Sequence, residues 1–162
     1  MEEDIEIFIK RIFMICNYTI GKIIIIIFMA LCAFEDYKHK SVDLKIFIIM
    51  GFIEFIYYIY MLVLGINIMW NEILAGAAIG IAIYLTALFS KSIGEGDGLF
   101  FIISGAALGL NKNVSLFIIS SILISCAGLY IAVKNFINNK NSAKKEIALL
   151  VFTFPAGLLI LI

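Results

Sequence analysis

From Ile46 to Phe89 the chain runs through 44 residues with only two charged side chains, Glu54 and Glu72. A helix needs about 20 apolar residues, rising about 1.5 Å each, to cross a bilayer, with about 17 as a lower limit. The stretch therefore reads as two spans joined by a short turn, Ile46 to Gly65 and Ile68 to Phe89. The same criterion finds four more. The first span ends at Phe34 and starts between Ile12 and Tyr18. The fourth, Gly98 to Leu110, is short. The fifth covers Val114 to Val133 and the sixth Ile147 to Ile162. Composition agrees, with 64% hydrophobic and 15% charged residues, where a soluble domain carries about 45–50% and about 25%. A soluble fold has no interior large enough for so much apolar surface, so lipid must solvate most of it. The expected fold class is an all-α membrane protein, a polytopic bundle of about six transmembrane helices. A single domain is expected over residues 1–162, with no repeat or linker. The short fourth span is tolerable if neighbours bury it and the Asn111-Lys112-Asn113 corner sits at the interface. A fourth–fifth hairpin that does not fully cross is the alternative.

Charge sets the orientation and removes one class of partner. The net charge is zero, so no nucleic-acid partner is expected. One set of loops carries Lys38, Lys40, Lys45, Lys91, Lys134, Lys140, Lys144 and Lys145, against Lys10, Arg11 and Lys112 on the other. That bias places the loops after the first, third and fifth helices in the cytoplasm, with both termini outside. If the first helix starts near Tyr18, Lys22 snorkels to the outer interface and residues 1–17 form an interfacial amphipathic segment. The start MEEDIEIFIKR is acidic, unlike a cleaved secretory signal. Cys16, Cys32 and Cys126 form no C-x-x-C pair, so no metal site and no redox motif is read from them. No cofactor is expected.

Most acids have plain explanations. Glu2, Glu3, Asp4 and Glu6 are a solvated end, Glu72 belongs to an outer loop, and Glu146 starts the last helix, where its charge suits the dipole. Glu54, inside the second span, pairs with Lys22 or stays protonated, because an unpaired charge there costs about 2.5–3.5 kcal/mol. Asp36 and Asp97 stand apart. Asp36 ends the first helix in ALCAFEDYKHKSVD and Asp97 opens the fourth in SKSIGEGDG. The topology puts both at one membrane depth. Two close carboxylates cannot both ionise cheaply and so share a proton. Such a dyad activates water with one member and polarises a scissile carbonyl with the other. Gly94 and Gly96 let backbone bend or approach an unwound peptide closely. The plainer alternatives are a helix N-cap for Asp97 and a loop carboxylate answering Lys38 and Lys40 for Asp36.

Gly94-Glu95-Gly96-Asp97 matches the G-x-G-D mark of intramembrane-type aspartic proteases. Among these the chain resembles the prepilin peptidase, or type IV leader peptidase, family. That family pairs G-x-G-D with an earlier aspartate followed, after five residues, by Ile or Val, Pro and Asn. Here Asp36 is followed by Val42 at the right spacing, but Asp43 and Leu44 replace the Pro-Asn. Leu99 stands where the family often has lysine, and FTFPAG around Pro155 is similar to the family's last helix. The resemblance spans nearly the whole chain. It implies catalytic Asp36 and Asp97, with Gly94, Glu95 and Gly96 facing the substrate. Asp43 is a rival to Asp36, since seven residues on it can share a helical face. The implied substrate is a prepilin-like membrane protein with a short basic leader, and Glu95 could attract that leader. The larger members' paired C-x-x-C region is missing, so peptidase activity is implied without methylation. His39, the only histidine, reads as a basic loop residue.

Two other classes compete with the peptidase. One is a proton- or ion-coupled transporter subunit that relays through Glu54, Asp36 and Asp97. The other is a non-catalytic membrane assembly partner. The sequence leaves oligomeric state, the individual pilin and the cleavage-site residue open.

Overall fold

A computed structural model describes residues 2–90, 94–137 and 149–161. Those residues form six helices: α1 (Glu2–His39), α2 (Leu44–Val63), α3 (Trp70–Ser90), α4 (Glu95–Leu108), α5 (Leu110–Ile137) and α6 (Leu150–Leu161). Among the described residues there is no strand. Helices α2, α3 and α5 are each long and apolar enough to cross a membrane. Their outward faces carry large apolar side chains, such as Phe52, Ile56 and Phe89, the last 88% exposed. Water would oppose that surface and lipid does not. The chain is an all-α membrane protein.

Several boundaries differ from the expected ones, each for a local reason. Helix α1 runs unbroken from Glu2 to His39, so residues 2–17 are helical with no break before the first span. It stops when Lys40 takes a left-handed conformation, φ 55°, and its N–H closes on the Asp36 carbonyl at 2.9 Å. Asp43 then caps α2, accepting from the Lys45 N–H at 3.1 Å. Helix α4 begins three residues earlier than expected, so Gly96 and Asp97 are helical and the glycine-framed loop is instead a first turn. Gly109, φ 75°, is the only residue between α4 and α5. The Asn111-Lys112-Asn113 corner is therefore the first turn of α5, and Asn113 is fully buried instead of lying at the interface. Glu72 likewise sits in the first turn of α3 instead of a loop. The expected cap at Glu146 and the loop charges Lys91, Lys140, Lys144 and Lys145 lie outside the described residues.

Helix α5 packs on α6 as well as on α3 and α4, and two further packings position the site. Antiparallel α3 and α4 make the most extensive contact in the molecule. Its cause is the absence of side chains along the line: Gly76 lies on the Gly105 carbonyl, Gly80 on the backbone of Phe101 and Ile102, and Gly98 on Tyr84. Close backbone approach of this kind replaces the hydrophobic drive that lipid removes. Asn113 pins the third partner. Its amide donates to the Gly76 carbonyl at 3.0 Å and the Phe101 carbonyl at 3.1 Å, and its oxygen accepts from the Ser104 hydroxyl at 3.1 Å. The second packing joins antiparallel α1 and α6. Asp36 meets Leu150 at one end, Met29 meets Gly157 midway, and Lys22 donates to the Leu161 carbonyl at 2.6 Å at the other. Where the two packings meet, Phe28 of α1 stacks on Phe100 of α4 at 5.3 Å and meets Phe47 of α2 edge-on at 6.2 Å.

Candidate active site

Asp36 sits two residues beyond Phe34, the last apolar residue of its span, and is only 7% exposed. One carboxylate oxygen accepts from the Leu150 backbone N–H at 2.8 Å. That N–H lies at the start of α6, where the helix has no internal acceptor for it. Burial raises the Asp36 pKa from its ordinary value, and the Leu150 N–H opposes the rise.

Asp97 enters from α4. Gly94 is the N-cap and supplies no side-chain bond. Asp97 stands three residues later; its N–H donates to the Gly94 carbonyl at 3.0 Å, and its carboxylate accepts from the Gly94 N–H. The acid is thus not the cap itself. It reaches back as the third residue of a capping box does. Burial pushes its pKa up to about 6, the Asp36 charge adds to the rise, and the Gly94 N–H offsets part of it. An electrostatic effect of one carboxylate on the other requires proximity, because water screens such pairs beyond about 10 Å. The two aspartates selected from sequence are brought together.

The remaining candidates separate by position. Gly96 faces the Phe47 ring, which a Cβ would meet at 3.9 Å, and Gly94 lies beside the Asp97 carboxylate. Glu95 and His39 are exposed. Asp43 starts a different helix from Asp36 and spends its carboxylate on capping α2, with Lys45 Nζ 3.8 Å away. It shares no helical face with Asp36. Phe28, Phe47 and Phe100, all buried, pack on one another as an apolar floor to the site, with Phe47 against Gly96. Among the described residues, no three His, Cys, Asp or Glu side chains converge as metal ligands would.

Glu54 belongs elsewhere. Eleven residues past Asp43 on α2, it lies about 16 Å along the helix from that end. It lines a cavity of about 180 Å³ with Lys22, Tyr57, Tyr58 and Lys112, and neither Asp36 nor Asp97 reaches that cavity. One Glu54 oxygen is buried without a hydrogen bond.

Sequence reasoning missed two contributors. The Leu150 N–H is a backbone group and has no residue signature. Asn113 is concealed in a polar triplet that reads as a loop. The small residues of α3 carried a usable signal, since Gly76 and Gly80 are four apart on one face.

The arrangement can hold one proton between two carboxylates above an apolar floor, at the end of a membrane bundle. The sequence profile of the type IV leader peptidase family matches residues 23–129, which include both aspartates and the whole G-x-G-D stretch. No curated protein and no solved structure gives a match. The family match covers well over half of the chain, and the chain belongs to the type IV leader peptidase family, as a protease carried in a membrane bundle.

Proposed function

We propose that the protein is an aspartic endopeptidase that removes the short basic leader from type IV pilin-like precursors at the cytoplasmic face of a prokaryotic membrane. The observation that carries this reading is the electrostatic coupling of Asp36 to Asp97 across two helices. In the reaction one carboxylate takes a proton from water, whose oxygen attacks the scissile carbonyl carbon. The other carboxyl gives its proton to the carbonyl oxygen. The tetrahedral intermediate then collapses, the C–N bond breaks, and the leaving amine takes up a proton. No covalent enzyme intermediate is needed. The substrate's apolar helix lies in the bilayer beside the enzyme, so lipid confinement supplies proximity. Gly94 and Gly96 leave room for extended peptide, and exposed Glu95 favours a basic leader. Methylation of the product is not part of the proposal.

The test is co-expression with a tagged pilin-like precursor, read as a mobility shift. Wild type and Asp43→Asn are expected to remove the leader, while Asp36→Asn and Asp97→Asn lose activity by at least a hundredfold, the scale of a lost acid–base partner. Cleavage that survives both dyad changes would overturn the proposal, as would a folded wild type that cleaves no precursor. The relay reading would have to bridge from the two aspartates to Glu54, which lines a separate cavity.

A further inference from the structure

Helix α6 lies outside the residues that the family profile matches, yet it supplies a hydrogen bond to Asp36, the only one from another helix among the described residues. We propose that the Leu150 N–H fixes Asp36 as the dyad member that bears the negative charge, and so leaves the shared proton on Asp97. Leu150 is then a positioning residue, acting through its backbone. The inference rests on the aspartic-peptidase reading above.

Three observations carry it. First, an N–H can only donate, so at 2.8 Å it matches a carboxylate oxygen better than a protonated one. Second, the donor is the first residue of a helix, where the exposed N–H groups and the dipole favour an anion. Third, among the described residues no cation pairs with the carboxylate it holds. Three helices pack against α1: α2, α4 and α6. Among the described residues, α6 has no ionisable side chain, α4 offers Asp97 and exposed Glu95, and α2 offers the exposed Asp43–Lys45 pair. On α1 itself Cys32 and Glu35 are nearby, and Lys38, His39 and Lys40 are exposed. The Gly94 N–H that Asp97 accepts is different in kind. It closes a turn within one helix and is present however the bundle packs.

The assignment gives each carboxyl one role. Asp36, ionised, takes the proton from the attacking water. Asp97, protonated, gives its proton to the carbonyl oxygen of the substrate. Atoms balance: the water O–H, the Asp97 O–H and the carbonyl π bond break, and Asp36 O–H, substrate O–H and a new C–O bond form. On collapse the C–N bond breaks, Asp36 gives its proton to the leaving nitrogen, and a hydroxyl of the intermediate returns one to Asp97.

Leu150→Pro removes the N–H alone from the backbone, and proline is well accepted at a first helical position. Leu150→Ala keeps the N–H and loses the buried side chain. The probe is a synthetic precursor with a basic leader ending in glycine, followed by an apolar helix, cleaved by the full chain in nanodiscs. In Leu150→Pro the acidic limb of the kcat profile is expected to move up by about one pH unit, with KM held, because the anion has lost a donor. In Leu150→Ala the limb stays at its wild-type position. A second readout needs neither substrate nor proline: infrared titration of protonated carboxyl groups in the ¹³C-Asp-labelled chain. The carboxyl that titrates near neutral pH is expected to vanish in Asp97→Asn and to survive, shifted to lower pH, in Asp36→Asn. The proposal is overturned if both Leu150 variants keep the wild-type limb, or if that carboxyl survives Asp97→Asn and disappears in Asp36→Asn. A wild type that leaves the precursor intact refutes the peptidase reading, and the infrared arm still decides where the proton sits.

Discussion

Asp97 shows at the residue scale how a site of this kind trades stability for chemistry. Its pKa stands at about 6 in the folded chain, against about 3.9 for an unfolded aspartate. The folded state therefore holds this proton more tightly than the unfolded one. The corresponding stability is fully present below about pH 4 and is lost as pH rises through about 6. Two pH units amount to about 3 kcal/mol, and partial solvent access reduces that to the order of 2 kcal/mol. Asp97→Asn is thus expected to match wild type in thermal unfolding at pH 4 and to exceed it at pH 7.5. Parallel pH curves for the two proteins would mean that Asp97 behaves as an ordinary carboxylate. Asp36 and Asp97 stood out in the sequence because a carboxylate at the edge of an oily run is conspicuous, and in the fold the charge of one acts on the other. The capping of α2 by Asp43 was not legible. The Leu150 N–H was not legible at all, since every residue but proline carries that group.

At the scale of elements, glycine decides which helices can touch. Helix propensity alone argues against α4, which opens Glu-Gly-Asp-Gly and loses about 1 kcal/mol per glycine relative to alanine. Contact with α3 outweighs that loss, because Gly76, Gly80, Gly98 and Gly105 bring two backbones together. For this reason a stretch that reads as a loop is a helical turn. Gly80→Ala would drive a methyl into the backbone of Phe101 and Ile102, which cannot swing aside as a side chain does. It is expected to destabilise the protein by about 2 kcal/mol or more. Gly51→Ala, on an open face of α2 with nothing within 4 Å, is expected to be neutral or to stabilise by up to about 1 kcal/mol. Unfolding of both variants in detergent measures the contrast, and equal effects would contradict the packing described. Asn113 belongs to the same seam. Three hydrogen bonds from one amide tie α3, α4 and α5, and no periodicity in the chain announces them.

For the whole molecule, the run from Ile46 to Phe89 already implied a lipid-solvated bundle, and the six helices follow from it. Sequence says less about which helices move together, because that depends on contacts between distant residues. Asp97 travels with α4, which is locked to α3 and, through Asn113, to α5. Asp36 travels with α1, which is fastened to α6 at both ends. Between these two bodies, α1 and α4 meet through the Phe28–Phe100 stack, and α5 packs along α6, with Leu116 against Gly157. The two aspartates therefore sit on opposite sides of a seam. The two bodies also differ in reach: α4 has 14 residues, about 21 Å, in a hydrocarbon layer of about 30 Å. Thickness mismatch acts with a fraction of a kcal/mol per Å, and the load falls on the seam that separates the two aspartates. Precursor cleavage in vesicles of graded acyl length is expected to peak at one thickness and fall on either side, with the unfolding temperature nearly constant. A flat profile would mean that the α5–α6 packing holds the aspartates in place whatever the bilayer. On this geometry the bilayer acts as a vice on the gap between the two carboxylates proposed for catalysis.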